Sequence, residues 1–164
     1  MEPFHQYLPQ YREQLQKGAI KEAYKGLMQY LDNLRLHLEK TYPDYFVSGS
    51  VNHGLMDYSY FYFFPKSIKQ RKLKVVLLFV HDGFRFEVWL AGYNRSVQTK
   101  YWKRFKENNW NKYPLAATTK NVDYIMSTIL IDKPDFTDLA ALTDQIEKGL
   151  LAFIGAIEDF LSNL

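Results

Sequence analysis

Arg85, Glu87 and Trp89 stand at alternate positions of one apolar-rich stretch, and alternate residues of an extended strand share a face. A guanidinium, a carboxylate and an indole placed this way can wall a binding site: a fork for an anion, a hydrogen-bond acceptor and a stacking surface. The plainer reading of the same residues is an Arg85–Glu87 ion pair on a half-exposed sheet face, with Trp89 partly covered by a helix. Tyr58, Tyr60 and Tyr62 alternate in the same way just after Asp57. A tyrosine row on a sheet stacks bases or sugars, or else belongs to the core with its hydroxyls reaching the rim.

Other groupings carry less chemistry. Lys100, Lys103, Arg104 and Lys106, followed by Trp110 and Tyr113, mix cations and aromatics as nucleic-acid surfaces do, with Lys103 and Arg104 as candidate phosphate contacts. A solvated helix face has the same composition, and no RNA-binding signature accompanies it, so nucleic acid is not the expected partner. His53, His81, Asp57 and Asp82 lack a metal-ligand spacing, and no metal or other cofactor is expected. The stretch 48–54 has glycines but neither a phosphate-loop lysine nor a following helix, and there is no Gly-x-Ser-x-Gly elbow.

Elements must position these residues. Phe4, Tyr7, Leu8, Tyr11 and Leu15 predict a first short helix with Gly18 as its C-terminal cap. Ile20, Ala23, Tyr24, Leu27, Leu31, Leu34 and Leu38 predict a long second helix ending at Tyr42-Pro43. Strands are expected over 45–51 and 57–64. Leu73 to His81, Asp82-Gly83 and Phe84 to Ala91 read as a hairpin with a type I′ turn.

That turn sets a register: Val80 opposite Arg85, Phe79 opposite Phe86, Leu78 opposite Glu87, Leu77 opposite Val88 and Val76 opposite Trp89. Cross-strand partners share a face, so one face is wholly apolar and the other amphipathic. Ser96 is the expected cap of a helix reaching Phe105, a strand is expected over 122–131, and a helical turn at Asp135 or Thr137. Thr143 is the expected cap of the last helix. The order α-α-β-β-β-β-α-β-α gives an α+β fold in one domain, residues 1–164: a single layer of mixed, mostly antiparallel sheet packed against helices.

Composition agrees. With 47% hydrophobic and 17% aromatic residues the chain is globular, and a chain of this mass buries about 70% of its extended surface. No apolar run has membrane-spanning length. The absence of cysteine fits a reducing compartment, so a cytoplasmic protein without membrane partners is expected. Net charge is only +3, but basic clusters at 66–74 and 95–112 face an acidic region after Ile131.

The segments Tyr42-Pro-Asp-Tyr-Phe-Val-Ser-Gly-Ser, Met56-Asp-Tyr-Ser-Tyr-Phe and Phe84-Arg-Phe-Glu-Val-Trp-Leu-Ala-Gly-Tyr-Asn-Arg resemble a family of uncharacterised small bacterial proteins over nearly the whole chain. The resemblance implies a bacterial, cytoplasmic, stand-alone domain of unknown function and brings no activity with it. The order of elements is also similar to restriction-endonuclease-like cores, which hold Mg²⁺ with an Asp and an Asp/Glu-x-Lys. Asp57 and Glu87 match the carboxylates, while Trp89 stands where that pattern has lysine.

Two functions of different class follow. In the first, a small polar or anionic ligand, or a protein partner, sits against Arg85, Glu87, Trp89 and a rim of Tyr58, Tyr60 and Asp57. The alternative is a nuclease-like metal-dependent enzyme or its catalytically inactive relative. Exposed aromatics at Trp110 and Tyr113 would suit a homodimer contact.

Overall fold

Residues 1–164 are described by a computed structural model. A 3-10 turn at Phe4–Gln6 runs into α1 (Leu8–Lys17), and Gly18, at φ 86°, reverses the chain into α2 (Ala19–Thr41). Tyr42 leaves the helical region ahead of Pro43, as a residue preceding proline must. Then follow β1 (Phe46–Val47), β2 (Tyr58–Phe64), α3 (Lys66–Gln70), β3 (Leu73–Val80), β4 (Arg85–Gly92), α4 (Arg95–Glu107), β5 (Met126–Asp132) and α5 (Leu139–Ser162). The fold is α+β, and no helix is long and apolar enough to cross a membrane.

The strands form one sheet in the order β1-β2-β3-β4-β5, every neighbour antiparallel. The hairpin register is the expected one from Val80–Arg85 to Val76–Trp89. Its turn is not type I′: the positive φ falls on Phe84 (48°) and on neither Asp82 nor Gly83. Phe84 is half-exposed, and its ring meets Phe79 at 5.4 Å and Phe136 at 5.8 Å.

Val75, Leu77, Phe79, Phe86, Val88 and Leu90 form the buried face of the hairpin and pack against α2 and α5 in one core of 28 residues. Burying each such side chain contributes about 1.5–3 kcal/mol. Phe153, Ile154 and Ile157 of α5 and Leu31, Leu34 and Leu38 of α2 are sealed on the other side of this core.

Several boundaries depart from the sequence pattern. The first strand shrinks to Phe46–Val47, because the Ser48 carbonyl turns to Arg35 Nη1 (3.0 Å). The Ser48 hydroxyl instead accepts the Tyr62 N–H (2.7 Å). Asn94, not Ser96, caps α4 by accepting the Val97 N–H at 2.9 Å. Asp138, not Thr143, caps α5, and Thr143 meets the Tyr30 hydroxyl at 3.0 Å. The last predicted strand begins four residues later than expected, at Met126, and α3 carries no advance signal.

Candidate functional site

The amphipathic sheet face rises in rows across β2, β3 and β4: Tyr62, Val76 and Trp89 abreast, then Tyr60, Leu78 and Glu87, then Tyr58, Val80 and Arg85. A concavity of about 380 Å³ opens on this face. Val76 and Leu78 lie in its floor, the tyrosine row forms one wall and Trp89 with Val122 and Asp123 the other. Its volume falls in the usual range for small-molecule sites, roughly 300–1,000 Å³.

Its two ends differ. At one end the indole of Trp89 stands edge-on to Tyr58 at 5.6 Å and tilted against Tyr124 at 4.9 Å. At the other, where β3 begins and β4 ends, lie Lys74, Asn94 and Arg95. Lys74 Nζ sits 5.0 Å above the Tyr62 ring, which holds its charge at the rim by cation–π attraction.

The cationic end is built by a tight junction. A Cβ on Gly92 would lie 2.5 Å from the Gln98 nitrogen and 2.7 Å from its Cα, so only glycine lets β4 meet α4 this closely. Gln98 is buried; its Oε1 accepts the Gly92 N–H (3.2 Å) and its Nε2 donates to the Val122 carbonyl (2.7 Å). One amide thus fixes the strand end, the helix start and the far wall together. Arg95, the first residue of α4, is carried to the rim by this lock.

The sequence-selected residues divide. Tyr58, Tyr60 and Trp89 line the concavity; Arg85 and Glu87 do not. Arg85 Nε donates to Glu87 Oε2 at 2.6 Å and Trp89 Nε1 donates to Glu87 Oε1 at 3.1 Å. Both carboxylate oxygens therefore hold protein donors, and Glu87 orients the indole. The carboxylate holds the Arg85 guanidinium more firmly protonated, and a Cβ at Gly83 would collide with Arg85 Nη1, so this cation leans over the turn.

Asp57 occupies the bend before β2, where its Oδ1 accepts the Leu55 N–H at 3.0 Å. The N–H groups of Leu55 and Tyr58 keep its carboxyl below the usual carboxylate range. Asp57 lies in the bend outside β2, whereas Glu87 lies within β4 in the row of Tyr60 and Leu78, so no strand face carries the two carboxylates together. No three His, Asp or Glu side chains form a metal-ligating group.

Lys103 and Arg104 are exposed on α4 away from the concavity, Arg104 lying 5.7 Å above the Tyr101 ring. Trp110 and Tyr113, expected to be exposed, are packed inward: Trp110 meets Phe105 and Phe160 at 5.0 Å, and Tyr113 meets Phe153 at 4.9 Å. Both are half-buried rather than fully exposed.

Sequence reasoning passed over Lys74, Arg95, Gln98 and the Ser59–His81 pair. Ser59 is fully buried; its hydroxyl donates to the His53 carbonyl (2.6 Å) and so accepts from His81 Nε2 (2.8 Å). With its proton committed to a carbonyl, Ser59 is a latch on the 53–57 loop rather than a nucleophile. Asn94 could have been found as a cap preceding a helical pattern; Gln98 stands in helical phase with the buried Tyr101 and Phe105, but as a polar residue it gave that phase no apolar mark.

No curated protein and no solved structure matches the chain. The model of one family, described as "Domain of unknown function (DUF7000)", matches residues 4–161. The chain, from its first turn into the last turn of its final helix, belongs to that family.

Proposed function

We propose that this domain is a binding module whose open sheet face holds a small anionic molecule with a flat apolar body. The observation that carries the reading is the polarity of the concavity: Lys74 and Arg95 at one end, and Trp89 with Tyr58 at the other, over a floor of Val76 and Leu78. An anion gains charge-assisted hydrogen bonds at the first end. A planar group gains stacking and apolar burial at the second. Asp123 in the far wall adds an acceptor for a hydroxyl or amine.

The anion fork moves from Arg85 to Lys74 and Arg95 in this reading, and Glu87 serves as the support that aims Trp89. The nuclease-like alternative draws no comparable support, since Asp57 is engaged by its own bend and Glu87 by Arg85 and Trp89. A bacterial cytoplasm is the proposed setting, in keeping with a chain free of cysteine.

The test is thermal unfolding with a panel of nucleoside monophosphates, aromatic carboxylates and sugar phosphates, with inorganic phosphate as control. A ligand at a hundred times its dissociation constant adds about 2.7 kcal/mol, which for a chain of this size raises Tm by roughly 5–10 °C. Lys74→Ala and Arg95→Ala should abolish the shift while leaving the ligand-free Tm nearly unchanged. A panel without any shift, or a shift indifferent to both substitutions, removes the proposal.

A further inference from the structure

The helical hairpin at the start of the chain carries an apolar stripe that nothing in the protein covers. α1 packs on α2 yet buries none of its own residues. Phe4 is 76% exposed, Tyr7 49%, Leu8 46%, Tyr11 61% and Ile20 43%. The stripe has helical spacing, and its last member, Leu15, is half-covered next to the Gly18 reversal. A stripe of this kind forms when a helix has an apolar partner. None of these residues lines the concavity on the sheet, so they belong to a separate surface.

Three observations identify the partner. The first is area. At about 200 Å² for a large side chain, the five exposed residues present roughly 550 Å² per copy, and two copies exceed the ~1,000 Å² that a specific interface needs. The whole chain exposes 10,316 Å², whereas a compact monomer of its mass exposes about 8,500 Å².

The second is charge. Up to Leu27 the hairpin carries four cations (Arg12, Lys17, Lys21, Lys25) and three acids (Glu2, Glu13, Glu22), with Lys17 and Glu13 already paired at 3.2 Å. So balanced an arm does not repel its own copy. It also lacks the basic face with which amphipathic helices hold anionic lipid.

The third is symmetry. Aromatic rings at Phe4 and Tyr11 flank Tyr7 and Leu8. Laid antiparallel on itself, the stripe therefore puts Phe4 against Tyr11 of the other copy and Tyr7 against Leu8, which meets the requirement of a two-fold contact that residue i touch j and j touch i.

We propose that this hairpin is the contact of a homodimer, two copies laying their α1–α2 hairpins together as an antiparallel four-helix bundle with the Phe4–Tyr11 stripe at its centre. The bundle buries the apolar faces of both hairpins in the manner of other antiparallel bundles, and leaves the two sheet concavities free.

Sedimentation equilibrium of the full chain tests this directly. At micromolar concentrations the expected mass is twice the 19.5 kDa of one chain, and Leu8→Glu and Tyr11→Glu should each weaken association at least tenfold without altering circular dichroism. Because the protein has no cysteine, a Phe4→Cys/Tyr11→Cys double variant should form a disulfide-linked dimer on oxidation. Either single variant should cross-link poorly, since an antiparallel pair holds identical residues too far apart for a disulfide. A monomeric wild type overturns the proposal, including one that instead binds phosphatidylglycerol vesicles or another protein, as does a dimer indifferent to both glutamates.

Discussion

His81 Nε2 lies 2.8 Å from Ser59 Oγ, and the serine proton is already given to the His53 carbonyl. The imidazole must therefore carry its hydrogen on Nε2. Burial lowers its affinity for a second proton, while the nearby carboxylates of Asp57 and Asp82 oppose that effect. With the folded-state pKa below the free value of about 6.5, the unfolded chain takes up the proton first as pH falls. The stability linked to this residue is thus complete above about pH 6.5 and is lost as pH falls through the folded-state value. Asp57 titrates in a lower window, because its folded pKa is depressed below 3.8 by backbone N–H donors. The Tm of the wild type should accordingly fall further between about pH 7.5 and about pH 5.5 than that of His81→Gln, whose amide can still donate to Ser59. Equal losses in calorimetry would show that His81 does not titrate on unfolding.

At the scale of elements, two glycines make opposite predictions. Gly92 ends β4 against the backbone of Gln98, and a Cβ there has no flexible neighbour to displace. Gly92→Ala should cost about 1–3 kcal/mol by overpacking and should weaken any ligand of the concavity, because α4 and Arg95 would move together. Gly155 lies inside α5 with nothing within 4 Å of an added Cβ. Gly155→Ala should therefore stabilise by about 0.5–1 kcal/mol through helix propensity alone. Chemical denaturation of the two variants checks both signs, and a neutral Gly92→Ala would mean that the junction yields more easily than its geometry suggests.

For the molecule as a whole, the sheet has a firm centre and one weakly tied flank. β3 is hydrogen-bonded on both sides and buried along nearly its full length. The segment from Asn109 to Tyr124 has neither helix nor strand and is fastened at separate points. Trp102 donates to the Ala116 carbonyl (2.7 Å), Gln98 to that of Val122, and a β-bridge joins Leu115 to Met126. Amide exchange should be slowest in β3, reporting global unfolding, and fastest between Ala117 and Asn121, reporting local opening. Similar rates in the two would contradict this division. The flank also forms the Val122–Asp123 wall, so ligand should slow its exchange.

The hairpin, its register and its two faces were legible because alternation across β3 and β4 is a local pattern, and the α2 and α5 stripes were legible by their helical period. The family was legible from three short segments. Other features waited on the tertiary structure. A periodic stripe does not say whether anything covers it: α1 has the same pattern as a core helix and lies exposed, whereas Trp110 and Tyr113, in an aperiodic loop, are packed. Charges present the same difficulty. Lys74 and Arg95 stand 21 residues apart in two different basic clusters, and only the meeting of β3, β4 and α4 puts both on one rim. Local sequence sets which backbone each segment prefers; which segments meet, and hence which side chains share a site, depends on long-range packing that no window of neighbouring residues contains.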